Sequence, residues 1–323
     1  MPHAIRIHEN GGADKMQWEE VEVGQPGPGE VLVRNTAVGL NYIDTYHRTG
    51  LYPLPLPLTL GVEGAGVVEA VGSKVRDFKV GERVAYASPI GAYAETLLRP
   101  VERLVKIPAS VDDKVAAAIM LKGMTAWYLI KRTYKVKPGQ TILVHAAAGG
   151  VGQILCQWAK HLGATVIGTV GSDEKAVLAK KAGCKYVVVT SREKFAERVK
   201  EITKGKRVPV VYDGVGKDTF MDSLDCLAPL GMMVSFGNAS GAVTQFNPGI
   251  LAQKGSLFLT RPTLFTYTSK REDLAAAARD LFAVVKSKAV KISINQTYSL
   301  RDAAQAHRDL EARKTTGSTI LLP

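Results

Sequence analysis

The stretch HAAAGGVGQILCQWAK, His145 to Lys160, decides how this chain is organised. Ahead of it TILVHA (Thr141 to Ala146) is a short run of Val, Ile and Leu without a breaker and reads as a buried strand. Behind it QILCQWAKHLG (Gln153 to Gly163) has apolar residues at helical spacing and closes on glycine. Gly149, Gly150 and Gly152 occupy the turn between strand and helix. Moving outward, TVIGTVG (Thr165 to Gly171) is a second strand. DEKAVLAKKAG (Asp173 to Gly183) is a second helix, with acids in its first turn, lysines in its last and glycine beyond. KYVVVT, SREKFAERVKEITKG, VPVVYDGVG, KDTFMDSLDCLAPLG and MMVSFG (Lys185 to Gly237) continue the alternation. Strands alternating with helices pair in parallel through right-handed crossovers, which predicts a doubly wound α/β sheet.

The first 120 residues or so follow another pattern. Short apolar runs punctuated by glycine and proline, EVLVRNTAVGL (Glu30 to Leu40), GAGVVEAVG (Gly64 to Gly72) and ERVAYAS (Glu82 to Ser88), predict mostly antiparallel strands in a mostly-β, barrel-like unit. YPLPLPLTLG (Tyr52 to Gly61) carries Pro53, Pro55 and Pro57 and reads as a stiff extended loop. From about Val115, AAAIMLKGMTAWYLIKRT predicts a helix leading into the sheet. After it the tail offers a helix, Glu272 to Ser287, and a last helix, RDAAQAHRDLEARK, flanked by strand-like ISINQTYSL and STILLP. The tail is too short to stand alone and is expected to pack back on the N-terminal unit. The boundaries are therefore 1–122 plus 265–323 for an outer domain and 123–264 for the inserted sheet, with a cleft between.

Composition narrows the classes of function. The 323 residues are 46% hydrophobic and 22% charged, ordinary for a soluble globular protein. Lys plus Arg less Asp plus Glu is 42 − 30 = +12, a balance that attracts phosphate-bearing partners without naming one. Cys156, Cys184 and Cys226 fit neither a disulfide framework nor a paired-cysteine metal site, which points to a reducing compartment. The start, MPHAIRIHENGG, does not build a secretory signal, and no stretch of about 18 apolar residues occurs to span a membrane. A cytoplasmic location follows as an expectation. Lysines and arginines are dispersed along helices with no aromatic-interleaved basic strand, so nucleic-acid binding is disfavoured.

The glycine turn carries the chemistry. Small residues let the backbone approach a pyrophosphate, Gly152 lets helix pack closely on strand, and the helix start supplies unpaired N–H groups. The spacing Ala146-x-x-Gly149-x-x-Gly152 puts alanine in the first glycine position of a dinucleotide fingerprint. The second strand ends in Gly171-Ser172 rather than the Asp or Glu that holds a ribose hydroxyl, while Asp173 and Glu174 read as first-turn acids of the next helix. Ser172 and Lys175 suit a 2′-phosphate, which favours NADPH.

At this point a resemblance covers nearly the whole chain. GLNYIDTYHRTGLYP (Gly39 to Pro53), GVEGAGVVEAVG (Gly61 to Gly72), LKGMTAWYL (Leu121 to Leu129), HAAAGGVG, VSFGNASG (Val234 to Gly241), TRPTL (Thr260 to Leu264) and RKTTGSTILLP (Arg313 to Pro323) resemble the zinc-independent medium-chain dehydrogenases/reductases, specifically the NADPH:quinone oxidoreductases of zeta-crystallin type. The resemblance implies a Rossmann sheet inserted in a GroES-like outer domain. A homodimer is expected from the residues themselves, because VVYDG and MMVSFG lead to an edge strand. For the dimer, SLFLT (Ser256 to Thr260) is the candidate edge strand across a two-fold axis. The resemblance also implies cofactor contacts at Tyr42, Ile43, Asp44, Thr45 and Tyr46, at Thr125 and Tyr128, and at Gly150 and Val151 of the turn. Further contacts fall on Gly171, Ser172 and Lys175, Asn238, Ala239, Ser240 and Gly241, Pro262, Thr263 and Leu264, and Arg313. Thr190 stands where a similar enzyme has a tyrosine beside the 2′-phosphate, and Gly214 where it has a serine.

Zinc-dependent relatives have cysteine in place of Asn41 and histidine in place of Val62, so no metal is expected. A quinone is already electrophilic and does without a Lewis acid. The implied reaction is hydride transfer to a quinone, or to a similarly activated enone, with the enzyme supplying proximity and orientation. Asn41, Tyr46 and Tyr52 are the candidate catalytic residues. A phenol with an ordinary pKa near 10 is a poor proton donor, and no residue is singled out as general acid. A non-enzymatic role would keep the cofactor and lack turnover.

Overall fold

The computed structural model describes residues 1–323, which divide into two compact units. The first comprises residues 1–124, 268–286 and 292–323, and the second residues 125–267 and 287–291.

In chain order the first unit contains β1 (His3–Ile7), β2 (Gln17–Glu20), β3 (Glu30–Leu40), helix α1 (Tyr42–Thr49), β4 (Leu58–Thr59), β5 (Glu63–Val71), β6 (Arg83–Tyr86), β7 (Thr96–Pro100), β8 (Val105–Lys106) and most of α2 (Asp113–Tyr128). The second contains β9 (Thr141–Val144), α3 (Gly150–His161), β10 (Thr165–Val170), α4 (Asp173–Lys181), β11 (Tyr186–Val189), α5 (Phe195–Ile202), β12 (Val208–Asp213), α6 (Phe220–Asp225), β13 (Leu227–Ser235), α7 (Gly249–Gln253), β14 (Phe258–Thr260) and α8 (Leu264–Tyr267). The chain then returns to the first unit as α9 (Arg271–Lys286), β15 (Ile294–Ser299), α10 (Ala303–Glu311) and β16 (Ser318–Leu322).

The second unit is built on a six-stranded parallel sheet in the order β11-β10-β9-β12-β13-β14. Strand order reverses beside β9, and ligands of such sheets sit outside the carboxyl ends of the strands at that point. Each strand is covered by helices, so Leu143, Ile167, Val188, Val211 and Met233 are wholly buried in one core with Phe195, Val199, Phe220 and Leu224. Each fully buried apolar side chain of this size stabilises by about 1.5–3 kcal/mol.

One segment departs from the sequence reading. The helix expected to run through LAPLG stops at Asp225, and β13 already begins at Leu227. Pro229 has no N–H to continue a helix, Leu230 takes a left-handed φ of 61°, and its N–H bonds Gly255 O at 2.8 Å.

In the first unit a sheet ordered β15-β16-β3-β5-β6-β8, with β7 also on β3, encloses a core of Val31, Val33, Val38, Leu60, Val84, Tyr86, Tyr93 and Leu104. The C-terminal β16 pairs antiparallel with β3 through Leu321 and Val38, so the tail packs on the N-terminal strands. Towards its end β3 is covered on both faces. A Cβ on Gly39 would lie 2.2 Å from Glu63 Oε1 and 2.4 Å from Ala117 O, so only glycine lets the site residues approach the strand.

Candidate functional site

The second unit contributes backbone. After β9 the chain turns through residues 145–149, with Ala147 N–H on Thr169 O and His145 N–H on Tyr212 O, both 3.0 Å, tying the turn to β10 and β12. Ala146 adopts φ +50°, the left-handed conformation glycine would take without strain; alanine does so at a cost of about 1–2 kcal/mol. A Cβ on Gly152 would lie 2.2 Å from Ala146 O and 2.8 Å from Ala147 Cα, so α3 packs directly on the turn. The N-cap of α3 is Gly149, which offers no side-chain acceptor to the first-turn N–H groups.

Beneath the turn lies His145, a residue the sequence reading passed over. Its Nδ1 is 2.8 Å from Thr169 Oγ1 and its Nε2 2.9 Å from Ser223 Oγ. Ser223 gives its single proton to Thr219 O at 2.7 Å, so Nε2 donates and Nδ1 accepts the Thr169 hydroxyl. Burial keeps the imidazole pKa below its ordinary value, and the ring stays neutral. Asp213 collects Val215 and Gly216 N–H on Oδ1 and the Thr219 hydroxyl on Oδ2, fixing the loop after β12.

That loop receives the loop after β13. Ser240 N–H and Oγ both bond Val215 O, at 2.8 and 2.9 Å, and Gly241 O accepts Lys217 N–H at 3.1 Å, which brings Asn238 to Gly241 against Gly214. A Cβ at Gly214 would lie 3.0 Å from the tip of the Phe236 ring, a close contact that glycine avoids. After β10, Gly171 has open space where a Cβ would stand, and Ser172 caps α4 by accepting Lys175 N–H at 3.4 Å. Thr190 Oγ1 donates to Val170 O at 3.1 Å. Arg192 pairs with Asp173 at 2.7 Å, placing a second cation beside Ser172 and Lys175 that the sequence reading also missed. Its signal was position, two residues past Thr190 at the end of β11. Tyr128 stacks on Tyr267 with ring centres 4.5 Å apart, and Thr125 lies one helical turn before it in α2. Pro262, Thr263 and Leu264 lead from β14 into α8.

In the first unit Asn41, Asp44, Thr45 and Tyr46, named from sequence, are buried side chains. Residues 42–49, within the stretch Gly39 to Pro53, form helix α1: the Asp44 carboxylate at the third position takes Asn41 N–H at 2.8 Å, and Gly50 ends the helix with φ +78°. Tyr42, Tyr46 and Tyr52 form a ladder with ring centres 6.2 and 5.2 Å apart, and Tyr46 is 8% exposed. Ile43 and Thr45 stand in the first turn of α1 between them. Tyr42 donates to Leu310 O at 3.3 Å, and the Arg313 guanidinium, in a left-handed turn after α10, acts electrostatically on its phenol.

Asn41 gives its side-chain amide to Glu63 Oε1 at 3.0 Å and to Gly39 O at 3.3 Å. Glu63 is wholly buried and also accepts Leu121 N–H at 2.6 Å and the Lys122 ammonium at 2.5 Å. Asp44, behind them and unexposed, accepts Tyr93 OH at 2.9 Å on Oδ2, while its Oδ1 has no partner. Burial outweighs these hydrogen bonds and raises its pKa to about 7. The sequence reading named Asn41 and Asp44 but neither Lys122 nor Tyr93. His47, buried with Nδ1 unpaired, is held near pKa 4 by desolvation.

Residues 150–283 match the family described as zinc-binding dehydrogenase, and residues 27–109 match the alcohol dehydrogenase GroES-like domain. The chain is 55% identical over 325 residues to a quinone oxidoreductase of Pseudomonas aeruginosa, covering 100% of both chains. It is 51% identical over 332 residues to a 2-haloacrylate reductase of a Burkholderia species, covering 100% of this chain and 99% of the other. A solved Escherichia coli quinone oxidoreductase complexed with NADPH matches with a TM-score of 0.98 at 50% identity, over 99% of this chain and 100% of that one. A parallel sheet with a glycine turn, a mostly antiparallel unit completed by the chain's tail, and full-length similarity at this level place the chain in the medium-chain dehydrogenase/reductase family, among its zeta-crystallin-like quinone oxidoreductases.

Proposed function

We propose that this chain is an NADPH-dependent quinone reductase that works without a metal. The observation that carries the reading is the β9–α3 turn, where backbone alone, from Ala146 to Gly152, shapes a cradle for a pyrophosphate at a helix start. The similar Pseudomonas aeruginosa and Escherichia coli enzymes support the acceptor and the cofactor. When bound, NADPH supplies the hydride. Gly149, Gly150, Val151 and Gly152 hold its pyrophosphate, and Ser172, Lys175 and Arg192 recognise the 2′-phosphate. The loop 238–241, residues 262–264, Thr125, Tyr128 and Thr190 complete the second unit's share, and Tyr42 to Tyr46 with Arg313 that of the first. Asn41, Tyr46 and Tyr52 orient the acceptor ring.

Zinc does not fit these residues. No group of three His, Cys, Asp or Glu side chains is set to hold a metal ion, and Glu63 already faces three donors, the Asn41 amide, the Leu121 N–H and the Lys122 ammonium. Three free cysteines favour a reducing compartment, the cytoplasm. No helix is long and apolar enough to cross a membrane. β14 pairs only with β13, and with Phe258 56% exposed it is the edge across which two copies would join as a homodimer.

A second reading, reduction of an activated double bond, is favoured by the 2-haloacrylate reductase among the relatives. NADPH oxidation measured against quinones, 2-haloacrylate, enones and alcohols, with and without a chelator, tests both. Turnover of quinones indifferent to the chelator is expected; alcohol oxidation or loss of activity on chelation overturns the reading, and turnover confined to alkenes selects the second.

A further inference from the structure

Behind α1 runs a chain of hydrogen bonds whose proton positions follow from counting donors. Arg48, 2% exposed, points NH1 at His307 Nδ1, 3.0 Å away, and grips Glu311 through NH1 and NH2 at 3.1 and 2.7 Å. A guanidinium has only donors, so Nδ1 must accept. The one hydrogen of a neutral imidazole is then on Nε2, 3.1 Å from the Tyr93 hydroxyl. That oxygen receives it and gives its own proton to Asp44 Oδ2 at 2.9 Å, where Asn41 N–H also ends.

We propose that Arg48, His307 and Tyr93 are positioning residues for the reaction: every donor in the relay points inward, committing the Tyr93 hydroxyl to Asp44, and Asp44 holds the Asn41 backbone at the head of α1. The relay thereby keeps Asn41, Tyr42 and Tyr46 in place. The catalytic consequence rests on the function proposed above; the proton arrangement does not.

The surroundings agree with it. Burial and the neighbouring guanidinium hold His307 near pKa 3, so it stays neutral. The other charges acting on Asp44 are Lys122 from α2, which favours its ionised form, and Glu63 from β5, which opposes it. With Tyr93 and Asn41 both on Oδ2, the unpartnered Oδ1 is the atom on which a proton comes and goes.

The test uses the full chain without cofactor. Nitrogen-15 imidazole NMR, assigned by subtraction with His307→Gln, should show a neutral His307 protonated on Nε2 from about pH 5 to about pH 9. A hydrogen on Nδ1, or an imidazolium near neutrality, overturns the proposal. Arg48→Lys, which still only donates, should keep that tautomer, whereas Arg48→Met should release it.

The infrared band of the protonated Asp44 carboxyl, identified by its absence in Asp44→Asn, gives the second measurement. Tyr93→Phe removes a donor to the carboxylate and should move the titration up by roughly one to two pH units; no movement overturns the proposal. In turnover, the pH limb of kcat/KM for NADPH should move with it, and KM should rise more than kcat falls. A lower kcat with the limb unmoved marks a merely structural tyrosine and overturns the catalytic claim. Failure of the wild-type chain to bind NADPH defeats the proposed function and leaves the tautomer measurement to decide the relay.

Discussion

The glycine turn of the second unit and the head of α1 in the first solve opposite problems. The turn from Ala146 to Gly152 has only small side chains: three alanines, three glycines and one valine expose N–H groups by keeping everything else away. The head of α1 is crowded with charge, two carboxylates, an ammonium and a guanidinium among residues with little or no exposure, each answered by a partner. A site made of backbone fails when an atom is added. A site made of buried charge fails when one is taken away.

Four measurements press on that contrast. The largest effect is expected in the charged region. Glu63→Gln leaves the Lys122 ammonium buried without its counter-charge and should cost about 3–5 kcal/mol of unfolding free energy in a denaturant titration. The double variant Glu63→Gln with Lys122→Met should recover much of that loss; equal losses in single and double variants would mean that the charge is not what matters. Next, Gly152→Ala adds one carbon at 2.2 Å from a carbonyl oxygen and forces α3 off the turn, which should weaken NADPH binding about a hundredfold by fluorescence titration. Unchanged affinity would remove the turn from the cofactor site.

Smaller effects lie at the edges. Lys175→Ala and Arg192→Ala each remove one charge-assisted bond of about 1.5–3 kcal/mol, so each should lower the NADPH-to-NADH ratio of catalytic efficiency by roughly ten- to a hundredfold. An unaltered ratio would assign those cations to solvent and to Asp173. The last effect concerns pH. His47 is folded with a pKa near 4 against an ordinary 6.5, so it contributes stability that is present above pH 6.5 and lost as the pH falls towards 4. His47→Leu should flatten the thermal unfolding temperature across that window. Asp44 has the opposite sign: its folded pKa is raised to about 7, so its contribution is present below pH 3.8 and lost as the pH rises through 7, and Asp44→Asn should remove that slope.

The same contrast explains what could be read from residues alone. The turn is dictated by neighbours in sequence, so strand, glycines and helix announce it within the twenty letters from Thr141 to Lys160. The head of α1 depends on pairings across 49 residues for Tyr93 with Asp44, 59 for Lys122 with Glu63 and 259 for His307 with Arg48. No local pattern reports such distances, which is why Lys122, Tyr93 and His307 went unnamed while Asn41 and Asp44, embedded in a recognisable stretch, did not. Helix α1 carries little signal of its own for a simpler reason. Its eight residues include Tyr, Ile, two Thr and His, weak helix formers, and it depends on its end signals, Asp44 at the third position and Gly50 beyond the last. β13 was misplaced because Ala228 to Gly231 satisfies neither helix nor strand preferences, and only its partner strand settles the matter.

The pairing of β16 with β3 has a consequence for biosynthesis. Residues 318–322 leave a ribosome well after the second unit, yet they lie beside a strand made almost three hundred residues earlier. During translation the second unit, nearly continuous in the chain, is free to fold while the first waits for its closing strand. Proteolysis of ribosome-held chains should therefore find residues 125–267 protected before residues 1–124, and a nonsense mutation at codon 318 should leave the first unit unfinished and the second intact.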